Sequence, residues 1–169
     1  DLIGITGCVG SSAAGFKLLH ETNFTPQHIK DFLLNQHRRP YPALETGIFL
    51  SERGVQVAMD ISDGLADDIS KLTNSSQIAA RIYADKISVH PFVKQRFPND
   101  WLELALYGGE DYQLIFSTDS QLMSSIQPHL PTDSSIIGEI VDGPAGEVTI
   151  VDLDGKEHTS TGGGWDHYR

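Results

Sequence analysis

The sequence predicts an α+β domain, a mixed β-sheet flanked by helices on one or both faces. Two observations carry that expectation. Short runs rich in β-branched residues interleave with segments whose apolar residues recur at helical spacing, without a regular strand–helix–strand repeat. The chain also has 169 residues and 39% hydrophobic content, which suits one globular domain able to bury about 70% of its unfolded surface without covalent staples.

Leu2-Ile3-Gly4-Ile5-Thr6 reads as the first strand, followed by the loop Gly7 to Ser12 and an alanine-rich helix to about Leu19. A glycine-containing loop between strand and helix can offer amides to an anion. This one is neither GxGxxG nor a Walker A loop, and its glycines serve a turn and close helix packing equally well. Thr25-Pro26 predicts a helix start, a cap residue followed by proline at the first helical position, with Ile29, Phe32 and Leu33 on the apolar face. Arg38-Arg39-Pro40 ends it, and basic residues there are explained by the helix dipole and solvation as readily as by phosphate contact. A short helix is expected over 43–50.

Val55 to Met59 is short, partly β-branched and bounded by Gly54 and acidic residues, and reads as a buried strand. Leu65, Ile69 and Leu72 then recur at helical spacing. Further strands are expected over 78–83 and 113–117, with helical pieces over 91–97 and 100–106 between them. Asp119 or Ser120 opens another helix carrying Leu122, Met123 and Ile126. Residues 135–141 and 147–151 read as two strands joined in a hairpin through Asp142-Gly143-Pro144-Ala145-Gly146, and Asp154-Gly155 marks a later turn. Trp165 and Tyr168, after three glycines, suit either a ring-stacking clamp or a plug at the core edge.

The stretch Ala58-Met59-Asp60-Ile61-Ser62-Asp63-Gly64-Leu65 organises the rest. It places Asp60 at a strand end and Asp63 at a helix start, where Ser62 or Asp63 is of the type that caps helix amides and Gly64 permits a tight turn. Two carboxylates about 4 Å apart repel by about 4 kcal/mol at an effective dielectric near 20, and a helix N-terminus offsets only about 0.3–1 kcal/mol. Either both are solvated capping residues, or a divalent cation joins them; hard oxygens beside a hydroxyl suit Mg²⁺. An EF-hand is excluded, because Lys71 stands where its bidentate glutamate belongs. Glycines and paired acids meet an element boundary again at Tyr107-Gly108-Gly109-Glu110-Asp111-Tyr112, where a solvated turn is the alternative.

Composition excludes several classes. The net charge is −11, which argues against a nucleic-acid partner, since phosphate-backbone binding is driven by Lys and Arg. The charge would also repel a nucleotide unless metals intervene. One cysteine, Cys8, excludes an internal disulfide framework and a cysteine zinc site, and a reducing, cytoplasmic setting is expected. No apolar run long enough to span a membrane and no leader pattern is present. The seven histidines form no HExxH spacing, and no GxSxG elbow appears. Asp1 stands at the approach to a strand with no Met before it, so a piece of a longer protein is expected.

Taken together, three stretches resemble one family: Ala58 to Leu65, Gly108-Gly109-Glu110-Asp111-Tyr112, and Gly164-Trp165-Asp166-His167. They are similar to the C-terminal half of thiamine-monophosphate kinase, and Ile5-Thr6-Gly7 with Gly10 to Gly15 resembles that family's passage between domains. The match runs through essentially the whole chain in order. Ser11 and Gln113 depart from it, at positions where that family often has Asp and Glu. The resemblance implies the C-terminal domain of the aminoimidazole ribonucleotide synthetase-like superfamily, a mixed sheet with flanking helices. It implies a two-domain subunit whose N-terminal domain, absent from this sequence, dimerises and binds much of the ATP and metal.

By the same resemblance, Asp60 and Asp63 would be Mg²⁺ ligands, Ser62 would contact ATP, and Glu110 and Trp165 would hold thiamine monophosphate. No residue is nominated as a catalytic base. The implied activity is ATP-dependent phosphorylation of thiamine monophosphate to thiamine diphosphate by a full-length homodimer, with the isolated chain expected to be inactive. The alternatives are another superfamily member with a different acceptor, or a binding or assembly module without catalysis.

Overall fold

The computed structural model describes residues 1–160. Within them, seven strands form one sheet in the order β2-β4-β1-β5-β3-β6-β7. The strands are β1 Leu2–Ile5, β2 Val57–Asp60, β3 Ala79–Tyr83, β4 Leu114–Thr118, β5 Ser135–Val141, β6 Val148–Val151 and β7 Glu157–Thr159. The helices are α1 Ser11–Leu19, α2 Gln27–Arg38, α3 Leu44–Glu52, α4 Leu65–Ser75, α5 Pro91–Arg96, α6 Trp101–Tyr107 and α7 Ser120–Ile126. Neighbouring strands run antiparallel except β3 and β6, which are parallel, so the sheet is mixed as expected.

Strand alternation divides the interior into two unequal layers. Ile3 and Ile5 of β1 and Ile115 of β4 face the larger core, where α1, α2 and α4 deliver Ala14, Leu18, Ile29, Leu33, Leu65 and Ile69. Phe116 of β4 points the other way, into a small cluster with Leu50 of α3 and Met123 and Ile126 of α7. The side chain of Asp119 caps α7, accepting from the amides of Gln121 (2.8 Å) and Leu122 (2.9 Å). No helix among the described residues is long and apolar enough to cross a membrane.

Three sequence expectations need correction. The run 55–59 does not become a buried strand: β2 pairs only with β4, at the sheet edge, and all its residues but the half-buried Met59 are exposed. A short apolar run cannot report whether its strand has one neighbour or two. Strands β5 and β6 are not a hairpin, because β3 lies between them, antiparallel to β5 and parallel to β6. The hairpin partner of β6 is β7, across the Asp154-Gly155 turn. Finally, Thr25 does not cap α2, whose flanking residue is Pro26. The Thr25 hydroxyl instead accepts from Nε of Arg96 at 2.7 Å, and the same guanidinium pairs with Glu21.

Candidate functional site

The site lies where β2 and β4 run out of regular pairing. Asp60 stands opposite Leu114 in the ladder, and the pairing continues beyond both strands. The Ile61 amide donates to the Gln113 carbonyl at 2.8 Å, the Tyr112 amide to the Ile61 carbonyl at 3.0 Å, and the Glu110 amide to the Ser62 carbonyl at 2.9 Å. The two acidic stretches, remote in sequence, are thus joined through backbone. Gly109 lies so close to the Ser62 carbonyl oxygen that a Cβ would collide with it. Glu110 and Tyr112 both take left-handed backbone conformations, at φ 69° and 53°, each costing about 1–2 kcal/mol for a residue with a Cβ.

The turn that carries Ser62 and Asp63 is organised from inside the following helix. Neither residue caps α4, which starts after Gly64 at φ 130°, a conformation that favours glycine. Asp68, only 2% exposed, reaches back instead. Its Oδ2 accepts from the amides of Ser62 (2.9 Å), Asp63 (3.0 Å) and Gly64 (3.3 Å). The Lys71 ammonium donates to Asp68 Oδ1 at 2.7 Å and pairs with the Asp63 carboxylate. Those two hydrogen bonds outweigh the desolvation of Lys71 and hold its pKa above the usual lysine value. With its amides answered by Asp68, the turn leaves the Asp63 carboxylate at the surface.

One carboxylate of this loop binds the phenol beside it. The Tyr112 hydroxyl donates to Glu110 Oε2 at 2.9 Å. That bond pushes the Tyr112 pKa up, with burial and the charges of Glu110, Asp60 and Asp63 adding to it. Beside this group opens a cleft of about 590 Å³, walled by Pro42, Leu44, Ile48 and Leu114 with Asp60 and Tyr112 at its acidic side. Leu44 and Ile48 are 69% and 60% exposed. The Ala43 amide donates to the Tyr112 carbonyl at 3.1 Å, tying the start of α3 to the acidic loop.

A second buried carboxylate supports the loop from behind. Asp111 accepts from the Gly10 amide at 2.6 Å through Oδ2 and from the Ser12 amide at 3.1 Å through Oδ1. Burial raises its pKa to about 6, although the amides of Gly10, Ser12 and Ser11 pull it down. The glycine loop, read from the sequence as either an anion-binding turn or a packing device, offers its amides to this side chain. Thr6 closes the assembly, its hydroxyl donating to Gln113 Oε1 at 3.0 Å and accepting from the Leu114 amide at 2.9 Å.

The structure thus brings together Asp60, Ser62, Asp63 and Glu110, while Trp165 lies outside the described residues. Sequence reasoning missed Asp68, Lys71, Asp111 and the apolar wall of α3. A signal existed for Asp68, an acid in the first turn of a helix that starts from a glycine with no side chain to cap it. Among the described residues no three His, Cys, Asp or Glu side chains form a metal cage. Asp60 and Asp63 can supply two hard oxygens. That fits Mg²⁺ held by one or two carboxylates together with water and substrate phosphates, and does not fit a self-contained protein site.

No protein-family model matches the chain. Its sequence is 31% identical over 178 residues to the thiamine-monophosphate kinase of Escherichia coli strain K12, covering 99% of this chain and 52% of that protein. Among solved structures it is similar to AaThiL complexed with AMPPCP and TMP, with a TM-score of 0.80 and 28% identity over 99% of this chain and 51% of that one. The hydrogenase maturation protein HypE in complex with ATP matches with a TM-score of 0.67 at 17% identity, over 94% of this chain and 49% of that one. That likeness extends the shared fold beyond a single activity. The chain spans about half the length of the curated relatives it matches, and the matching part is their C-terminal half.

Proposed function

We propose, on the premise that this chain is the C-terminal half of a thiamine-monophosphate kinase, that it supplies the acceptor side of a site transferring the terminal phosphoryl group of ATP to thiamine monophosphate. The observation that carries the reading is the backbone joining of the Glu110 loop to the Asp60–Asp63 corner, with Asp60 and Tyr112 lining an apolar cleft. Anionic groups for charge handling stand beside a surface suited to a heteroaromatic ring. The preceding half of the parent protein would supply further metal and nucleotide contacts, and the association into a homodimer.

The chemistry asks little of a base. The acceptor oxygen already belongs to a phosphate, so a new P–O bond forms there as the bond to ADP breaks, and the requirement is in-line placement with charge neutralised. Mg²⁺, when bound, screens the triphosphate and the acceptor phosphate. Asp60 and Asp63 would hold it from the end of β2 and the head of α4, and Ser62 between them would contact ATP. Glu110 would face the cationic thiazolium or the aminopyrimidine, and Leu44 and Ile48 would exclude water along the ring. Trp165 would close over a ring by stacking or cation–π contact.

The experiment uses the full-length parent protein with Mg-ATP and thiamine monophosphate, following ADP release and identifying the product. Thiamine diphosphate is expected. Turnover only with another acceptor, or ligand-induced stabilisation with no turnover in any mixture, would overturn the reading.

A further inference from the structure

We propose that Asp111 is a positioning residue for the acceptor: anchored by the amides that open α1, it holds the 108–112 loop in the conformation that presents Glu110 beside Asp60 and Asp63. The inference rests on the functional reading above and extends it to a residue that touches no reacting group.

The geometry of the loop requires an anchor. Glu110 and Tyr112 are both left-handed, and neither is glycine, so a free loop would relax toward ordinary conformations. Asp111 sits between them and is 7% exposed. Both of its oxygens are engaged, at 2.6 and 3.1 Å, by amides of an element about a hundred residues earlier in the chain. No bond from Asp111 reaches Glu110 directly; it acts through the backbone they share.

A plain helix cap does not account for the choice of residue. α1 already receives its first residues from a glycine turn, and an uncharged acceptor would serve its amides at lower cost of burial. Burial accordingly pushes the Asp111 pKa up to about 6, against the pull of the three amides. A carboxylate has acceptor capacity on both oxygens, whereas the asparagine amide has an acceptor on one side only. Two-point attachment fixes the rotation of the Asp111 side chain, and with it the backbone on either side. The rest of the corner has supports of its own besides the backbone bonds it shares with this loop: Asp60 lies in the β2 ladder, and the Ser62–Gly64 turn hangs on Asp68. Releasing Asp111 should therefore move Glu110 and Tyr112 more than the residues proposed for metal and ATP.

The test compares wild type, Asp111→Asn, Glu110→Gln and the double variant in the full-length parent protein. It measures thermal midpoint and separate KM values for thiamine monophosphate and ATP. Asp111→Asn is expected to raise the KM for thiamine monophosphate about tenfold, leave the KM for ATP within about twofold, and leave the thermal midpoint close to that of wild type, as relief of the buried charge offsets the lost amide bond. In the Glu110→Gln background the same substitution should change the acceptor KM by less than about threefold, because the group it positions is already altered. Wild-type acceptor KM in a folded Asp111→Asn variant, parallel rises in both KM values with a lowered midpoint, or full additivity in the double variant would each overturn the proposal.

Where Asp111→Asn fails to fold, Asp111→Ser carries the same expectation, and failure of both to fold assigns Asp111 to the fold alone and overturns it. Wild-type protein that makes no thiamine diphosphate overturns the functional reading and this inference with it. Wild-type turnover with unaltered variants overturns the inference alone.

Discussion

Replacing Asp68 with alanine should damage both stability and metal response, in amounts the hydrogen bonds allow to be worked out. Its Oδ2 takes three amides, at 2.9, 3.0 and 3.3 Å, and Oδ1 takes Lys71 at 2.7 Å. Loss of the acceptor for one amide bond of good length costs about 0.5–1.5 kcal/mol. The additional amide bond of good length contributes about 0.5–1.5 kcal/mol; the 3.3 Å contact adds least, and the half-exposed Lys71 pair adds little after solvent screening. The expected destabilisation is about 2–3 kcal/mol, read as a fall in the urea midpoint with unchanged slope. Asp68→Asn, which keeps one acceptor, should lose about half as much. Because Asp63 rides on the same turn, the Mg²⁺ concentration for half-maximal turnover of the full-length protein should rise several-fold in Asp68→Ala. A variant that loses less than about 0.5 kcal/mol and keeps the wild-type Mg²⁺ dependence would refute the idea that Asp68 holds this turn.

Asp63→Asn removes a carboxylate from the surface of the turn without disturbing the amides bound by Asp68, so turnover should fall about a hundredfold while the thermal midpoint stays close to wild type; near-normal rate at saturating Mg²⁺ would sink the metal role. Gly109→Ala forces a methyl group onto the Ser62 carbonyl, so the loop must shift, at about 1–3 kcal/mol, with a higher acceptor KM; calorimetry and initial rates check the pair. Asp111 gives a pH signature. Its folded pKa is raised from 3.8 to about 6, so its favourable contribution is fully present below about pH 3.8 and is lost as pH rises through about 6, a span of about 3 kcal/mol. The stability of Asp111→Asn relative to wild type should therefore improve between pH 4 and pH 7, and a flat difference across that range would count against the buried, ionised state.

The helices were legible because their signals are local. The periodicity of Leu65, Ile69 and Leu72 gave α4, and Asp119 gave the start of α7 through the two amides it caps. Strand partners were not legible, since alternation gives a strand's faces and not its neighbours. Nothing within 135–151 indicates that Ala79–Tyr83 inserts between the two strands there. The same limit hid the exposure of β2, whose residues look apolar enough for a sheet interior. The stretches that carry Asp60, Ser62, Asp63 and Glu110 stood out because glycines and acids coincide at element boundaries, and the roles proposed for them came from the family resemblance. The wall formed by Leu44 and Ile48 was not, because an exposed apolar residue on a short helix reads as ordinary packing until the helix is placed beside Tyr112.

Asp60, Asp63, Asp68 and Asp111 are one residue type in two environments, and their environments divide the labour. Asp68 and Asp111 are 2% and 7% exposed, and backbone amides take up Oδ2 of Asp68 and both oxygens of Asp111, five bonds in all. They are structural acceptors for turns that ladder pairing alone would leave loose. Asp60 is exposed at a strand edge, and Asp63 meets a half-exposed Lys71 whose long stem can swing aside. A carboxylate committed to buried amides cannot be surrendered to a ligand without leaving those amides unpaired. One facing solvent or a half-exposed lysine can. On that ground Asp60 and Asp63, and not the equally acidic Asp68 and Asp111, are the pair to assign to a cation. The Lys71 ammonium gives the assignment a further consequence: it balances Asp63 in the absence of metal, so Lys71→Met should lower the Mg²⁺ concentration for half-maximal turnover of the full-length protein, and a higher Mg²⁺ requirement in that variant would argue against Asp63 as a ligand.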